Sequence, residues 1–197
     1  MGIINVLNII SLPERQDRRD ELLIELDKQG ITDYKFWNGI KNKHYPKLGI
    51  LQAHKQIVRY AKENNLPYVH IAEDDMCFFG KDKGAWEYYL SQLPNDADLF
   101  LSMLYVGDIN NDNRITSICS GFTMYTVFER FYDTFLSAPE DKGGVHVDRH
   151  ITGLHEDYKF YVCNPFTTYQ SGSSSDNTKR KTREDYSPLL RGRNIYG

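Results

Sequence analysis

Tyr68-Val69-His70-Ile71-Ala72-Glu73-Asp74-Asp75 is a short apolar run that ends in three consecutive carboxylates. Its aromatic and β-branched residues favour a buried strand, and Pro67 marks a break in the chain just before it. In an open α/β sheet, ligands bind beyond the carboxyl ends of the strands, where the connecting loops form a crevice. The segment therefore predicts a buried strand that carries acidic side chains into a binding site.

The three carboxylates, Glu73, Asp74 and Asp75, predict a metal site. Adjacent carboxylates repel one another in a cleft of low dielectric unless a cation, donor hydrogen bonds or bulk water offsets their charge. On an extended backbone Glu73 and Asp75 project to one side and Asp74 to the other, so the first pair could hold a divalent cation. Such a cation would keep open positions for phosphate oxygens. The alternative interpretation is an acidic, solvated turn after a strand.

The composition is that of one globular domain. The chain has 197 residues and a mass of 23.0 kDa, with 40% hydrophobic and 26% charged residues. A net charge of -3 offers no basic field for a nucleic-acid backbone, so the sequence argues against nucleic-acid binding. The three cysteines, Cys77, Cys119 and Cys163, lie in apolar stretches and are typical of buried thiols in a reducing compartment. Because the sequence shows no membrane-span pattern and no signal-peptide pattern, we expect a cytoplasmic protein.

Strand-like and helix-like segments alternate along the chain. The predicted strands cover residues 3–10, 36–40, 68–72, 98–103 and 160–165, and the predicted helices cover residues 17–29, 48–61, 85–93 and 127–136. This alternation favours one α/β domain over residues 1–170, with a mostly parallel central sheet and helices on both faces. Residues 171–197 are too polar to pack, and we expect them to form a mobile tail or a lid that orders with ligand.

The turn after the first predicted strand carries three arginines, Arg15, Arg18 and Arg19, close to the start of a helix. A guanidinium group in this position can meet a diphosphate with a planar fork of donors, while the helix end adds backbone N–H groups. The alternative is that the arginines are surface residues paired with nearby carboxylates such as Asp17 and Asp20.

Histidines and a further aspartate stand apart from the acidic strand end. His54 shares the inward stripe of its predicted helix with core residues, so it is either a hydrogen-bonded core residue or part of the site. Asp148 lies between His146 and His150 and follows a glycine-rich break. It could complete a metal shell, accept a proton or cap a helix.

In their order along the chain, several segments resemble glycosyltransferase family 25, the bacterial lipooligosaccharide and lipopolysaccharide biosynthesis transferases. The segments that carry the resemblance cover residues 8–19, 48–54, 71–76, 147–148 and 169–176. They are similar to the family's arginine-bearing turn, its Gly-rich helix entry, its Glu-Asp-Asp metal motif and its later Asp, Gln and Ser-Asp elements. Ala53 stands where the family usually has serine. The resemblance implies the GT-A, or nucleotide-diphospho-sugar transferase, fold.

The resemblance also implies a function. A hexose would move from a nucleotide-diphosphate sugar, commonly a UDP-sugar, to a hydroxyl of a bacterial surface glycan such as lipopolysaccharide, with inversion at the anomeric carbon. A divalent metal, Mn²⁺ rather than Mg²⁺ by family analogy, would bind Glu73 and Asp75 and stabilise the leaving diphosphate. Asp148, as general base, and Asp74 would be catalytic. The residues expected to bind substrate are Ser11, Arg15, Arg18, His54, Gln170, Ser175 and Asp176.

The partners expected from this resemblance are a UDP-hexose donor and a glycan or lipooligosaccharide acceptor, with peripheral membrane association compatible with both.

Two functions of other classes use the same residues. A metal-dependent hydrolase of sugar nucleotides or phosphoesters would activate water instead of an acceptor hydroxyl. A non-catalytic module that binds glycans or nucleotides would have no need of the metal, and the intact Glu73-Asp74-Asp75 argues against it.

Overall fold

The computed structural model describes residues 6–80, 83–142 and 144–171 of the chain. Its strands are β1 (Leu7–Ser11), β2 (Tyr34–Asn38), β3 (Tyr68–Glu73), β4 (Met76–Phe78), β5 (Leu99–Leu101), β6 (Met124–Phe128), β7 (Phe160–Val162) and β8 (Thr168–Gln170). Its α-helices are α1 (Gln16–Gln29), α2 (Pro46–Glu63), α3 (Lys83–Ser91), α4 (Tyr132–Ser137) and α5 (Val147–Thr152), and a short 3-10 helix, Glu129–Phe131, precedes α4. The first half alternates strand and helix as predicted.

Six strands form the central sheet in the order β2-β1-β3-β6-β5-β7. β1 pairs in parallel with β2 and β3, β5 pairs in parallel with β7, and β6 is antiparallel to both β3 and β5. The mostly parallel sheet is therefore confirmed. The carboxyl ends of β1, β2 and β3 and the start of β6 meet at one edge, which is where a ligand site is expected.

Helices cover both faces of the sheet, as predicted. On one face α2, α4 and α5 bury Ile57, Phe135 and Ile151 in a cluster that includes Val69 and Ile71 of β3. Because β3 lies in the middle of the sheet, this cluster fixes α2 directly against the strand that carries the acidic residues.

On the other face α1 and α3 bury a second cluster. Leu26 and Trp86 pack there with Leu7 and Ile9 of β1. Trp86 stacks on Phe100 with 4.5 Å between ring centroids, an offset arrangement that aromatic pairs favour. This layer holds α1, and with it the arginine-bearing turn, against the sheet.

A second antiparallel sheet joins the acidic turn to the end of the described chain. β4 pairs with β8 so that Met76 lies opposite Gln170. This pairing brings Gln170, 95 residues away in sequence, next to Asp75.

The helix predicted over residues 127–136 is wrong in its first part. Val127 and Phe128 belong to β6, where Val127 lies opposite Val69 on one side and Leu99 on the other. The spacing of apolar residues in this segment fits a helix face as well as a central strand. In the folded protein, β6 pairs with β3 on one side and β5 on the other, so its backbone N–H and C=O groups are hydrogen-bonded. These contacts favour a strand over a helix.

The other elements begin and end within a few residues of their predicted positions. α1 ends at Gly30, which adopts a left-handed φ of 63°, as predicted for a glycine that follows a helix. Residues 1–5, where the first strand was predicted to begin, lie outside the described residues, as does the predicted tail from residue 172 onward.

Candidate active site

The acidic segment ends β3 and turns into β4. Glu73 is the last residue of β3, and Asp74 and Asp75 form the turn that follows. The strict alternation expected of an extended backbone therefore does not apply beyond Glu73, because the turn sets the directions of the two aspartates. The backbone N–H of Glu73 donates to the carbonyl of Thr123 at 2.9 Å, which anchors the end of β3 to the start of β6.

Arg18 of α1 neutralises part of this acidic turn. Its Nη1 lies 2.8 Å from Asp74 Oδ1 and 3.3 Å from Asp75 Oδ2. The three side chains are nearly buried, so the pair is a desolvated, charge-assisted contact. The first turn of α1 reaches this position because β1 and β3 are adjacent parallel strands whose carboxyl ends meet at one edge.

Asp75 keeps one oxygen without a partner. Its Oδ2 accepts a hydrogen bond from Gln170 Nε2 at 2.7 Å, whereas its buried Oδ1 has no hydrogen-bond partner within the described ranges. Burial raises the pKa of Asp75 to about 7, and the neighbouring Glu73 adds to that effect. The residue directly after β8 also holds this turn, because Ser171 N donates to the Asp75 carbonyl at 2.6 Å.

Glu73 faces a buried histidine. His54 Nε2 lies 3.4 Å from Glu73 Oε1, and the other ring nitrogen, Nδ1, lies 2.6 Å from the hydroxyl of Tyr125. Burial, together with the charges of Asp148 and Asp74, raises the pKa of Glu73 to about 8. The charge of Arg18 lowers this pKa, but by less. Burial lowers the pKa of His54 to about 4, so the imidazole is neutral at pH 7.

Asp148 lies in the first turn of α5. Its Oδ2 accepts from the backbone N–H of Gly121 at 3.0 Å, and its Oδ1 accepts from Arg149 N at 2.8 Å. The residue at the N-cap position is His146, whose side chain makes no capping hydrogen bond. Asp148 therefore joins α5 to the loop before β6, and it does so with a half-buried carboxylate that still lines the cavity described next.

A cavity of about 440 Å³ brings these residues together. The predicted site residues that line it are Ser11, Arg18, His54, Glu73, Asp74, Asp75, Asp148 and Gln170. The hydroxyl of Ser11 accepts from Arg19 Nε at 3.0 Å. The volume is in the range of pockets that hold small organic ligands.

Three predicted site residues are not placed in the cavity. Arg15 does not line it, and its guanidinium bonds Asp17 through Nε and Nη2 at 2.9 and 3.0 Å, which is the carboxylate pairing weighed above, although the Arg15 side chain is itself largely buried. Ser175 and Asp176 lie outside the described residues. All three stay predictions.

The sequence interpretation missed the loop after β2. Lys41 and Asn42 line the cavity, and the Asn42 side chain accepts from the backbone of Tyr45 at 2.8 Å. The loop packs directly on α2 at Gly49, where an added Cβ would lie 2.1 Å from the carbonyl of Ile40. Glycine inside a helix is unfavourable, so Gly49 was the one sequence signal that another backbone approaches there.

Tyr105, Phe122 and Thr123 also line the cavity without having been predicted. The hydroxyl of Tyr105 accepts from Gln170 N at 2.9 Å, so it ties the segment after β5 to β8. No local pattern marks these residues, because their position depends on β6 inserting between β3 and β5.

The acidic residues fit a cation only with help from a ligand. Among the described residues, no three His, Cys, Asp or Glu side chains are grouped in a way that could hold a metal ion. Asp75 Oδ1 nonetheless has no hydrogen-bond partner among the described residues, and burial raises the pKa values of Glu73 and Asp75, so the charged form of each carboxylate lacks the compensation that a cation would supply. The site therefore fits a cation bound by one or two carboxylates whose remaining ligands come from a phosphate-bearing molecule and water.

Solved structures of two kinds of transferase share this fold. A glycosyltransferase involved in the glycosylation of the major capsid of PBCV-1 matches with a TM-score of 0.52 and 10% identity, covering 81% of each chain. The inositol-1-phosphate CTP transferase from T. maritima matches with a TM-score of 0.51 and 12% identity, covering 81% of this chain. This chain spans 66% of the length of that second structure.

At these identities the likeness establishes only the fold, an α/β fold that this chain shares with both transferases. A scan of protein-family models finds no match to the chain, and a search of curated proteins finds none either. The resemblance to glycosyltransferase family 25 accordingly stays a prediction from the sequence.

Proposed function

We propose that this protein is a glycosyltransferase that moves a hexose from a nucleotide-diphosphate sugar, in our proposal a UDP-hexose, to a hydroxyl of a bacterial surface glycan such as lipopolysaccharide. One observation carries the proposal: Arg18 and the three carboxylates of Glu73-Asp74-Asp75 share one cavity with Asp148 at the ligand-binding edge of a GT-A-like sheet. The likeness in fold to a glycosyltransferase supports the choice of transferase.

The donor side of the reaction is assigned to Arg18 and the acidic turn. Asp74 holds the guanidinium of Arg18 at 2.8 Å, so the remaining N–H donors are oriented before a diphosphate binds. A divalent cation held by Glu73 and Asp75, Mn²⁺ by family resemblance although oxygen ligands also accept Mg²⁺, would neutralise charge on the leaving diphosphate. In this proposal Asp74 contributes to catalysis through Arg18.

The acceptor side is assigned to Asp148. The acceptor hydroxyl gives its proton to the Asp148 carboxylate while its oxygen bonds the anomeric carbon, and the bond from that carbon to the diphosphate oxygen breaks. The electron pair of the broken bond leaves with the diphosphate, whose charge Arg18 stabilises. A single carboxylate suffices if the anomeric centre is inverted.

The experiment that tests this function has two stages. A thermal-shift panel of nucleotide sugars, each with and without Mn²⁺, identifies the donor as the one that raises Tm most in the presence of metal. Product analysis with that donor then follows the sugar. Transfer to an added glycan acceptor supports the proposal, release of free sugar at the same rate with and without acceptor indicates a hydrolase, and binding without turnover indicates a binding module.

We also propose a cytoplasmic location, which rests on the cysteines. Cys77, Cys119 and Cys163 all lie in the described part of the chain and form no disulfide there. In residues 6–80, 83–142 and 144–171, no helix combines the length and the apolar character that crossing a bilayer requires. Cell fractionation of the tagged protein tests the location and any peripheral association with the membrane.

A further inference from the structure

Two neighbouring residues of β6 each bond a buried histidine, on opposite faces of the sheet. The hydroxyl of Tyr125 lies 2.6 Å from His54 Nδ1, and the hydroxyl of Thr126 lies 2.7 Å from His70 Nδ1. All four residues are at most 1% exposed. Only the first pair reaches the cavity, because His54 lines it.

The direction of the Tyr125 hydrogen bond follows from the surroundings of its hydroxyl. Within the described residues, His54 Nδ1 is the only hydrogen-bond partner of Tyr125 Oη. A buried hydroxyl proton needs an acceptor, so Tyr125 is the donor and Nδ1 the acceptor. A neutral imidazole carries one ring proton, which then resides on Nε2.

The protonated Nε2 of His54 is the ring atom that faces Glu73. It lies 3.4 Å from Glu73 Oε1, so the proton-bearing nitrogen is close to an acidic residue that lines the cavity. We propose that Tyr125 is a positioning residue, which fixes the His54 tautomer so that the Nε2–H orients the Glu73 carboxylate. Tyr125 itself does not line the cavity and would act only through His54.

This inference rests on the proposed function only in giving Glu73 a part in cation and donor binding; the tautomer is a property of the protein alone. The test uses Tyr125→Phe, which removes one hydroxyl and keeps the ring. Thr126→Val is the matched control, because it removes the adjacent buried hydroxyl from an equivalent histidine on the other face.

The first measurement is the ¹⁵N NMR spectrum of the His54 ring in protein without added metal. We expect the Nε2–H tautomer in the parent and in Thr126→Val, and a mixture or the Nδ1–H tautomer in Tyr125→Phe. A parent ring that carries its proton on Nδ1 overturns the proposal, and this holds even if Tyr125→Phe fails to fold. An unchanged tautomer in folded Tyr125→Phe also overturns it.

The second measurement is the affinity for Mn²⁺ alone, by water-proton relaxation, and for UDP with Mn²⁺, by calorimetry. We expect both affinities to fall about 10-fold in Tyr125→Phe, the lower end of the range for losing a residue that orients a metal ligand, and to stay within about twofold of the parent in Thr126→Val. An equal fall in the two variants means loss of general packing and overturns the positioning role. If the parent binds Mn²⁺ but no nucleotide sugar, the proposed function fails, while the Mn²⁺ affinities and the tautomer still decide the role of Tyr125.

Discussion

The carboxylates on the two sides of the cavity have different neighbours. On the arginine side, formed by Arg18, Asp74, Asp75 and Gln170, the acidic groups meet a permanent cation and an amide donor. On the histidine side, formed by His54, Glu73 and Asp148, they meet a neutral imidazole and backbone N–H groups. Both sides begin from one stretch of three consecutive residues, which the end of β3 divides between them.

Within the described residues, both sides of the cavity lack enough positive charge to balance their carboxylates. Arg18 compensates the turn in part, yet burial still raises the pKa of Asp75 to about 7, and on the histidine side it raises the pKa of Glu73 to about 8. Such raised values mark groups that favour a proton or a cation. In the proposed function, a cation held between the two sides would offset these carboxylates and leave Arg18 to meet the diphosphate.

The largest effect is expected from removing the Asp75 carboxylate, whose Oδ1 has no hydrogen-bond partner among the described residues. Asp75→Ala removes Oδ1 and Oδ2, and we expect Mn²⁺-dependent UDP affinity to fall about 100-fold or more, because the carboxylate is a proposed metal ligand. The Tm should not fall by more than a few degrees, because the side chain serves the site and not the core. Calorimetry with and without Mn²⁺ measures the affinity. Asp133→Ala, at a side chain that is 80% exposed, is the control, and unchanged affinity in Asp75→Ala would remove Asp75 from the metal site.

The next prediction concerns Asp148 on the histidine side and asks whether it affects turnover without affecting UDP binding. Asp148→Asn should keep UDP affinity within about threefold and lower turnover by about 100-fold, since loss of a general base affects chemistry and little else. A structural role in holding Gly121 predicts the opposite, a lower Tm with near-normal activity per folded molecule. Turnover, Tm and UDP binding on the same variant distinguish the two roles, with Asp157→Asn as the exposed control. Preserved turnover would take Asp148 out of the mechanism.

A smaller effect tests whether the two arginines of the turn differ as the structure places them. Arg18→Ala should weaken UDP binding by about 1.5–3 kcal/mol, the scale of a charge-assisted hydrogen bond. Arg15→Ala should change it by less than about 0.5 kcal/mol, because Arg15 bonds Asp17 and does not line the cavity. Titration of UDP at constant Mn²⁺ compares the variants. Equal losses would mean that Arg15 turns towards the ligand, and no loss in either would end the role of this turn as a diphosphate site.

The smallest effect concerns pH and the stability of the protein without metal. The pKa of Glu73 rises from its ordinary 4.5 to about 8 on folding, so the folded state binds this proton more tightly than the unfolded chain. The stabilisation that the Glu73 proton gives to the folded state is fully present below pH 4.5 and is lost as the pH rises towards 8. Relative to Glu73→Gln, the parent should therefore lose about 2 kcal/mol between about pH 6 and pH 7.5, or about 5 °C in Tm.

The comparison with Glu73→Gln is needed because His54 follows the opposite trend. Its pKa falls to about 4 on folding, so its contribution destabilises the folded state at acidic pH, but both proteins retain it. Glu63→Gln, an exposed substitution of the same type, should show no pH-dependent difference from the parent. A constant Tm difference between parent and Glu73→Gln across this pH range would contradict the raised pKa.

Local patterns predicted most of the fold and part of the site. β3, α1 and α2 lie close to their predicted positions because their apolar spacing and their breaks, such as Gly30, are local signals. Arg18 and the acidic segment were predicted together because both follow strands of a parallel sheet. The wrong prediction concerned the end of β6, because the spacing of Val127 and Phe128 fits a helix as well as a strand until the neighbouring strands are known.

The α/β class, the strand that ends in Glu73-Asp74-Asp75 and the residue types suited to a diphosphate and a cation could all be predicted from the sequence. These follow from hydrophobic periodicity and side-chain chemistry, which act over a few residues. The three-dimensional contacts were needed to show that Arg18 and not Arg15 meets the acidic turn, that Gln170 bonds Asp75, and that His54 bonds Tyr125. Those choices depend on strand order and on contacts between residues 56 to 95 positions apart, and no local pattern in the sequence encodes them.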